Sequence, residues 1–131
     1  MSTQPLILIT NDDGIRSRGL LAMADVCDAL GELLIVAPTL QQSAIGRAKP
    51  PTSSGRIFEE QLVINGRTVT GYAIEGAPAQ VVEYAVVEIA QRRPTIVVSG
   101  INFGENVGEG ITTSGTVGAA REGAMHGIPA I

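Results

Sequence analysis

The stretch ILITNDDG, residues 7–14, places four strand-forming residues directly before Asn11, Asp12 and Asp13 and closes on Gly14. Asn and Asp hydrogen-bond their own backbone in turns, and Gly tolerates positive φ, so these residues are consistent with a simple strand-ending turn. They are equally consistent with two carboxylates placed for chemistry where a buried strand ends. The other segments that reach the same place must decide between the two interpretations.

Three short apolar runs predict buried strands, because they do not alternate with polar residues. Helical patterns lie between them, and the residues IPAI begin a further strand. The strand runs are 6–10, 33–37 and 95–99, and the helical runs are 17–30, 78–91 and 114–127. Alternating strands and helices predict an α/β protein, a Rossmann-like three-layer α/β/α fold with a mostly parallel sheet.

One segment interrupts this alternation. Residues 39–54 are rich in Pro, Ser, Gln and Gly and are predicted to form a loop. The following stretch QLVINGRTVTGYAI, residues 61–74, carries an Asn65-Gly66 turn signal between two β-prone runs. This pattern is typical of a hairpin, so we expect an inserted β-hairpin before the second helix.

Composition excludes several classes of function. The 131 residues are 44% hydrophobic and 17% charged, which is typical of one compact domain. A net charge of −4 provides no basic surface for nucleic-acid polymers. No apolar run approaches the ~18 residues that span a bilayer, and no secretion signal is visible, so we expect a cytoplasmic protein that does not bind membranes. The single cysteine, Cys27, is predicted to be a buried thiol on the first helix.

Ligands of open α/β sheets bind beyond the carboxyl ends of the strands. There the first strand delivers the Asn-Asp-Asp turn, the second delivers APTLQQSAIG, and the third delivers SGINFGENVGEGITTSGT. The third loop spans 18 residues, 99–116, with five glycines. Loops of that length inside a compact domain are usually functional or disordered, and its fixed strand and helix at either end favour function.

The chemistry of these loops points to a phosphate and a divalent cation. Ser114, Gly115 and Thr116 open a helix, where free backbone N–H groups bind anions, although Ser114 alone could be a simple helix cap. Residues 99–116 contain no Lys or Arg to balance phosphate charge. Carboxylate, hydroxyl and amide oxygens suit Mg²⁺ or Mn²⁺, whereas one His and one Cys provide no zinc cluster. Donors of this kind are Asp12, Asp13, Ser43 and Asn102.

Taken together, ILITNDDGI, IVAP followed by QQSAIG, RPTIVVSGINFGENVG and TSGTVGAAREGAMHGIPAI resemble the SurE (survival protein E) family of metal-dependent nucleotidases. The resemblance runs in order from Leu6 to Ile131. It implies that one divalent cation is held by the oxygen donors just named, with Asp12, Asp13 and Asn102 also catalytic. It further implies a substrate-binding group formed by Asn11, Asn106, Ser114, Gly115 and Thr116.

The implied reaction is hydrolysis of a phosphomonoester, the removal of phosphate from nucleoside 5′-monophosphates and from some 3′-monophosphates. One of the two adjacent carboxylates would orient or deprotonate the attacking water, and the residues alone do not assign which. A haloacid-dehalogenase-like phosphatase is disfavoured because its carboxylates are separated by one residue. A dehydrogenase is disfavoured because no G-x-G-x-x-G follows the first strand. A nucleotide-binding regulatory module without turnover stays open as the alternative.

Two features depart from the family pattern. GAPAQ replaces the usual G-T-P-A-D, so that Ala77 and Gln80 stand in place of a Thr and an Asp. The sequence also reaches Ile131 within an expected strand, whereas family members continue for roughly the same length again. We therefore expect residues 1–131 to be the N-terminal portion of a nucleotidase domain, and the full-length protein to form a homodimer or homotetramer.

Overall fold

The computed structural model describes residues 4–39, 55–102 and 115–131. The strands are β1 (Leu6–Thr10), β2 (Glu32–Pro38), β3 (Ile57–Ile64), β4 (Arg67–Ile74) and β5 (Ile96–Ser99). The helices are α1 (Arg18–Cys27), α2 (Pro78–Tyr84), continued by a π-helical turn over Ala85–Ile89, and α3 (Gly115–Met125). No helix in these described ranges has the length and apolar character needed to cross a bilayer.

The five strands form one sheet in the order β3-β4-β2-β1-β5. All neighbouring pairs are parallel except β3 and β4, which form an antiparallel hairpin across Asn65-Gly66. This confirms the mostly parallel α/β sheet. It also shows that the hairpin belongs to the sheet, because β4 lies beside β2 and parallel to it.

The sheet separates two apolar layers. Ile7, Ile9 and Ile35 face one side and pack with Leu20 and Ala24 of α1. The alternate residues of the same strands face the other side, where they pack with α2 and α3; this layer includes Leu8, Val36, Val81, Val82, Val97 and Ala119. β1 and the second half of β2 are buried on both faces, which is why their sequences are continuous apolar runs. Cys27 is buried in the first layer, as predicted.

Helix α1 ends three residues earlier than its pattern predicts, because the residues after Cys27 are used for contact with the hairpin. Asp28 accepts hydrogen bonds from Arg67, at 2.6 Å, and from the Asn65 side-chain amide, at 3.1 Å. The Asn65 backbone N–H donates to Asp25 Oδ1 at 3.0 Å. We call Asp25, Asp28, Asn65 and Arg67 the hairpin clamp. It fixes the tip of the hairpin on α1.

The second predicted helix changes its winding part-way. The α-helical part ends at Tyr84, and residues 85–89 form a π-helical turn closed by a bond from the Ala90 N–H to the Ala85 carbonyl at 2.8 Å. The predicted strand IPAI is present as a short parallel pairing of Ala130 with Val97 of β5. Hydrogen bonds from Val97 to Pro129, and between Ile131 and Val97, extend this pairing.

Candidate functional site

The carboxyl ends of the central strands bring the predicted site loops together. Thr10 of β1 is in register with Ser99 of β5, and the Gly100 N–H donates to the Thr10 carbonyl at 2.9 Å. The Ile15 N–H donates to the carbonyl of Pro38, the last residue of β2, at 2.9 Å. The loops after β1 and β5 therefore begin side by side, and the first is also tied to the end of β2.

Asn11 organises the turn that presents the two carboxylates. Its Oδ1 accepts from the Gly14 N–H at 3.2 Å, and its Nδ2 donates to the Gly14 carbonyl at 3.2 Å and to Ser17 Oγ at 2.6 Å. Ser17 also caps α1 by accepting from the Leu20 N–H. These contacts all lie within the loop and the start of α1, and substrate binding by Asn11 stays a prediction.

Asp12 is a buried carboxylate with 4% of its surface exposed. Its Oδ1 accepts a hydrogen bond from Thr116 Oγ1 at 3.0 Å. Burial raises the pKa of Asp12 above its usual range, and the adjacent Asp13 charge adds to the rise, whereas the hydrogen bond from Thr116 opposes it. None of the groups that act on this pKa in the described structure is cationic. Within the described residues, ionised Asp12 therefore lacks the compensating charge that buried carboxylates usually have.

Thr116 connects Asp12 to Asn102. Its Oγ1 lies 3.1 Å from Asn102 Oδ1, in addition to the contact with Asp12. The Thr116 carbonyl accepts a hydrogen bond from Ser99 Oγ at 2.7 Å, which anchors the start of α3 on β5. We call Asp12, Asn102 and Thr116 the Asp12 cluster. Because a hydroxyl carries one proton, Thr116 can donate to only one of these two oxygens at a time.

Gly115 allows α3 to approach this cluster closely. A Cβ on Gly115 would lie 2.6 Å from the Cβ of Asp12 and 2.8 Å from Cγ of Pro78. Such distances leave no room for a side chain. Gly115 is therefore needed for packing against Asp12, whatever its backbone N–H binds.

The donor set fits a hard divalent cation. The described part of the chain contains no group of three or more His, Cys, Asp or Glu that could hold a metal. The oxygens of Asp12, Asp13 and Asn102 are nevertheless of the type that Mg²⁺ and Mn²⁺ prefer.

A separate cavity of about 490 Å³ lies away from these residues. Leu6 and Leu33 line it at the amino ends of β1 and β2, together with Tyr72 and Ile89. It contains none of the predicted ligands. We therefore place the chemistry at the carboxyl ends of the strands, where the Asp12 cluster lies.

Comparison with known proteins gives the family of the chain. Residues 7–131 match the family model described as Survival protein SurE. The chain belongs to the SurE family. It is 49% identical over 125 residues to the 5′-nucleotidase SurE of Methanopyrus kandleri, covering 95% of this chain and 46% of that protein.

Other relatives show the same relation. The 5′-nucleotidase SurE of Flavobacterium johnsoniae is 41% identical over 128 residues, covering 98% of this chain and 49% of that protein. The crystal structure of SurE from Aquifex aeolicus superposes with a TM-score of 0.78 at 35% identity, covering 96% of this chain and 49% of that one. The chain thus spans about half the length of the SurE relatives it matches.

The predicted SurE site residues divide into two groups. The structure brings Asn11, Asp12, Asp13 and Asn102 to one edge of the sheet, with Gly115 and Thr116 against them. Three predicted residues lie outside the described residues: Ser43, Asn106 and Ser114.

The two departures from the SurE pattern lie on α2. Ala77 is the N-cap residue of α2, and no side chain caps the helix there, whereas a Thr at an N-cap position can accept a backbone hydrogen bond. Gln80 Oε1 is buried and has no hydrogen-bond partner among the residues that the structure describes. Pro78, which lies between these two residues, is in contact range of Gly115. The departures therefore affect the helix that supports α3, and nothing in the structure explains the choice of Gln at position 80.

Gly19 is a site-forming residue that the sequence pattern does not identify. A Cβ at Gly19 would lie 2.1 Å from the Ile101 carbonyl oxygen, and the Ile101 N–H donates to the Gly19 carbonyl at 3.2 Å. The first turn of α1 thus fixes the backbone immediately before Asn102. A glycine inside a helix costs stability relative to alanine. Its presence within the predicted helix 17–30 is therefore a sequence feature that could indicate a close contact at this position.

Proposed function

We propose that the SurE protein containing this chain hydrolyses phosphomonoesters of nucleoside monophosphates, with the Asp12 cluster as its centre. The observation that carries the proposal is a buried carboxylate, Asp12, at the carboxyl edge of a mostly parallel sheet, joined through the Thr116 hydroxyl to Asn102. Relatives named 5′-nucleotidase SurE, at 41% identity and above, support the substrate class.

A divalent cation is part of the proposal. Asp12, Asp13 and Asn102 would hold it, together with Ser43 from outside the described residues. When bound, such a cation polarises a phosphoryl oxygen and lowers the pKa of a bound water. We propose a single ion, Mg²⁺ or Mn²⁺, on the basis of the oxygen donors.

The chain's own residues bind and orient the substrate. The backbone N–H groups at the start of α3, an 11-residue helix, would bind the phosphate, with the positive end of the helix dipole favouring its charge. Asp13 is more exposed than Asp12. We therefore assign to Asp13 the orientation of the attacking water, and to buried Asp12 the role of a fixed ligand.

The remaining proposals are a cytoplasmic location, which rests on the sequence pattern, and a homodimer or homotetramer of the full-length protein, which rests on the family resemblance. Size-exclusion chromatography with light scattering on the full-length protein would measure the oligomer directly.

The deciding experiment is a phosphate-release assay on the full-length protein. A panel of nucleoside 5′- and 3′-monophosphates is incubated with Mn²⁺, with Mg²⁺, or after exhaustive chelation. We expect release with at least one metal and loss of release after chelation, restored by adding the ion back. Nucleotide binding without release under every condition would identify a regulatory nucleotide-binding module instead. Full turnover after chelation would contradict the metal-dependent mechanism.

A further inference from the structure

Thr116 occupies a position that serves the predicted metal ligands. Its side-chain oxygen lies 3.0 Å from Asp12 Oδ1 and 3.1 Å from Asn102 Oδ1, and the residue is 8% exposed. The SurE resemblance assigns Thr116 to phosphate binding. Its hydroxyl, however, is directed at two protein oxygens that follow different strands, β1 and β5.

The backbone of Thr116 is also fixed by contacts with its neighbours. Ser99 Oγ donates to its carbonyl at 2.7 Å. The preceding Gly115 has no room for a side chain against Asp12. Both the backbone and the hydroxyl of Thr116 are therefore fixed relative to the ends of β1 and β5, so the residue can set the separation between the two ligands.

We propose that the Thr116 side chain is a positioning group, which aligns Asp12 and Asn102 for the cation while only the backbone of this residue serves the phosphate. The inference rests on the proposed function, because it presumes a cation at the Asp12 cluster. Groups that hydrogen-bond a metal ligand fix its orientation, and their loss typically weakens metal affinity by ~10–100-fold. A carboxylate that keeps its hydrogen bond also keeps its second oxygen directed at the metal.

The test compares Thr116→Val, which keeps the shape but removes the hydroxyl, with Thr116→Ser, which keeps the hydroxyl. Mn²⁺ affinity of the full-length protein is measured without substrate, by calorimetry or electron paramagnetic resonance. We expect Thr116→Val to weaken Mn²⁺ binding by about 10-fold or more and Thr116→Ser to restore most of it. At saturating Mn²⁺, KM for the nucleotide and inhibition by inorganic phosphate should be unchanged in both variants.

Thr70→Val is the matched control, because Thr70 bonds Gln61 within the hairpin and should leave Mn²⁺ affinity unchanged. Circular dichroism verifies folding, and Thr116→Ala replaces the Val variant if that one does not fold. Unchanged Mn²⁺ affinity with raised KM and weaker phosphate inhibition would overturn the proposal and make the hydroxyl a substrate contact. If the unaltered protein bound neither Mn²⁺ nor Mg²⁺, the proposed function itself would fail, which is a distinguishable result.

Discussion

The hairpin clamp and the Asp12 cluster both use an acidic side chain to connect a loop to a distant element. They differ in whether a cation in the described structure pairs with that acid. In the hairpin clamp, Asp28 receives two hydrogen bonds from the Arg67 guanidinium and one from Asn65. These bonds lower the pKa of Asp28 to about 2. In the Asp12 cluster, a buried carboxylate accepts hydrogen bonds from the Thr116 hydroxyl and from backbone N–H groups, none of them cationic, and its pKa is raised by burial.

We propose that this difference separates a structural cluster from a functional one. An acid that is paired with a cation of the same chain stabilises the fold without a bound ligand or ion. An acid buried without a matched charge costs folding free energy, and proteins keep such groups where a ligand or ion completes them. The comparison therefore predicts that the same substitution has opposite consequences in the two places.

The largest expected effect is on catalysis. Asp12→Asn and Asp13→Asn should each lower kcat by at least ~10²-fold, because each removes a principal electrostatic group. Asp28→Asn is the matched control and should leave kcat unchanged. Steady-state kinetics of phosphate release at saturating Mn²⁺ provide the measurement. A loss of kcat in Asp28→Asn equal to that in Asp12→Asn would show that the two clusters are not functionally distinct.

The next effect concerns the glycines next to the two clusters. Gly19→Ala places a Cβ 2.1 Å from the Ile101 carbonyl oxygen, so we expect it to cost about 1–3 kcal/mol and to weaken Mn²⁺ binding through Asn102. Gly66 has φ +81°, and a Cβ at this position would have no atom within 4 Å. Gly66→Ala should therefore cost only backbone strain of about 1–2 kcal/mol.

Urea unfolding and Mn²⁺ calorimetry measure both glycine variants. Gly66→Ala should leave Mn²⁺ affinity unchanged. Equal Mn²⁺ affinities in the two variants would refute the assignment of Gly19 to the support of Asn102.

A smaller effect concerns stability without metal. With a chelator present, Asp12→Asn should raise the free energy of unfolding, because it replaces an uncompensated buried charge with a neutral group of the same shape. Asp28→Asn should lower it, because it removes the charge of a matched pair. Urea denaturation at neutral pH checks the two signs. A decrease in both variants would remove the distinction drawn between the clusters.

The smallest effect is the pH dependence of the hairpin clamp. The pKa of Asp28 is about 2 in the folded protein, against an ordinary 3.8. A lowered folded pKa means that the stabilisation is present above pH 3.8 and is lost as the pH falls towards 2. The difference in urea midpoint between the unaltered protein and Asp28→Asn should therefore shrink over this interval. A constant difference would show that the Asp28 charge does not stabilise the clamp.

Local signals predict most of the fold. The apolar run of β1 matches the observed strand, Leu6–Thr10, and the Asn65-Gly66 signal marks the observed hairpin turn. The helix boundaries are less well predicted, because α1 ends where Asp28 turns to the hairpin. Contacts with a distant element decide such boundaries, and a local pattern does not contain them.

The same reason limits prediction of the site. Asp12, Asp13 and Asn102 are identifiable because each follows a strand that ends at a known edge of the sheet. The role of Gly19 is not, because it depends on the approach of α1 to a backbone 82 positions further along the chain. The sequence marks Thr116 as a polar residue at a helix start, whereas its partners are visible only once the strands are assembled.

The strand order has a consequence for the time course of folding. The hairpin closes across a two-residue turn, and the bond from Asn65 to Asp28 spans 37 residues. The bond from Thr116 to Asp12 spans 104 residues and needs β5 already paired with β1. Closing longer loops costs more chain entropy, and distant pairings form more slowly. The hairpin can therefore form while Asp12 and Thr116 are still far apart, and the Asp12 cluster assembles only when the longest-range contacts are made.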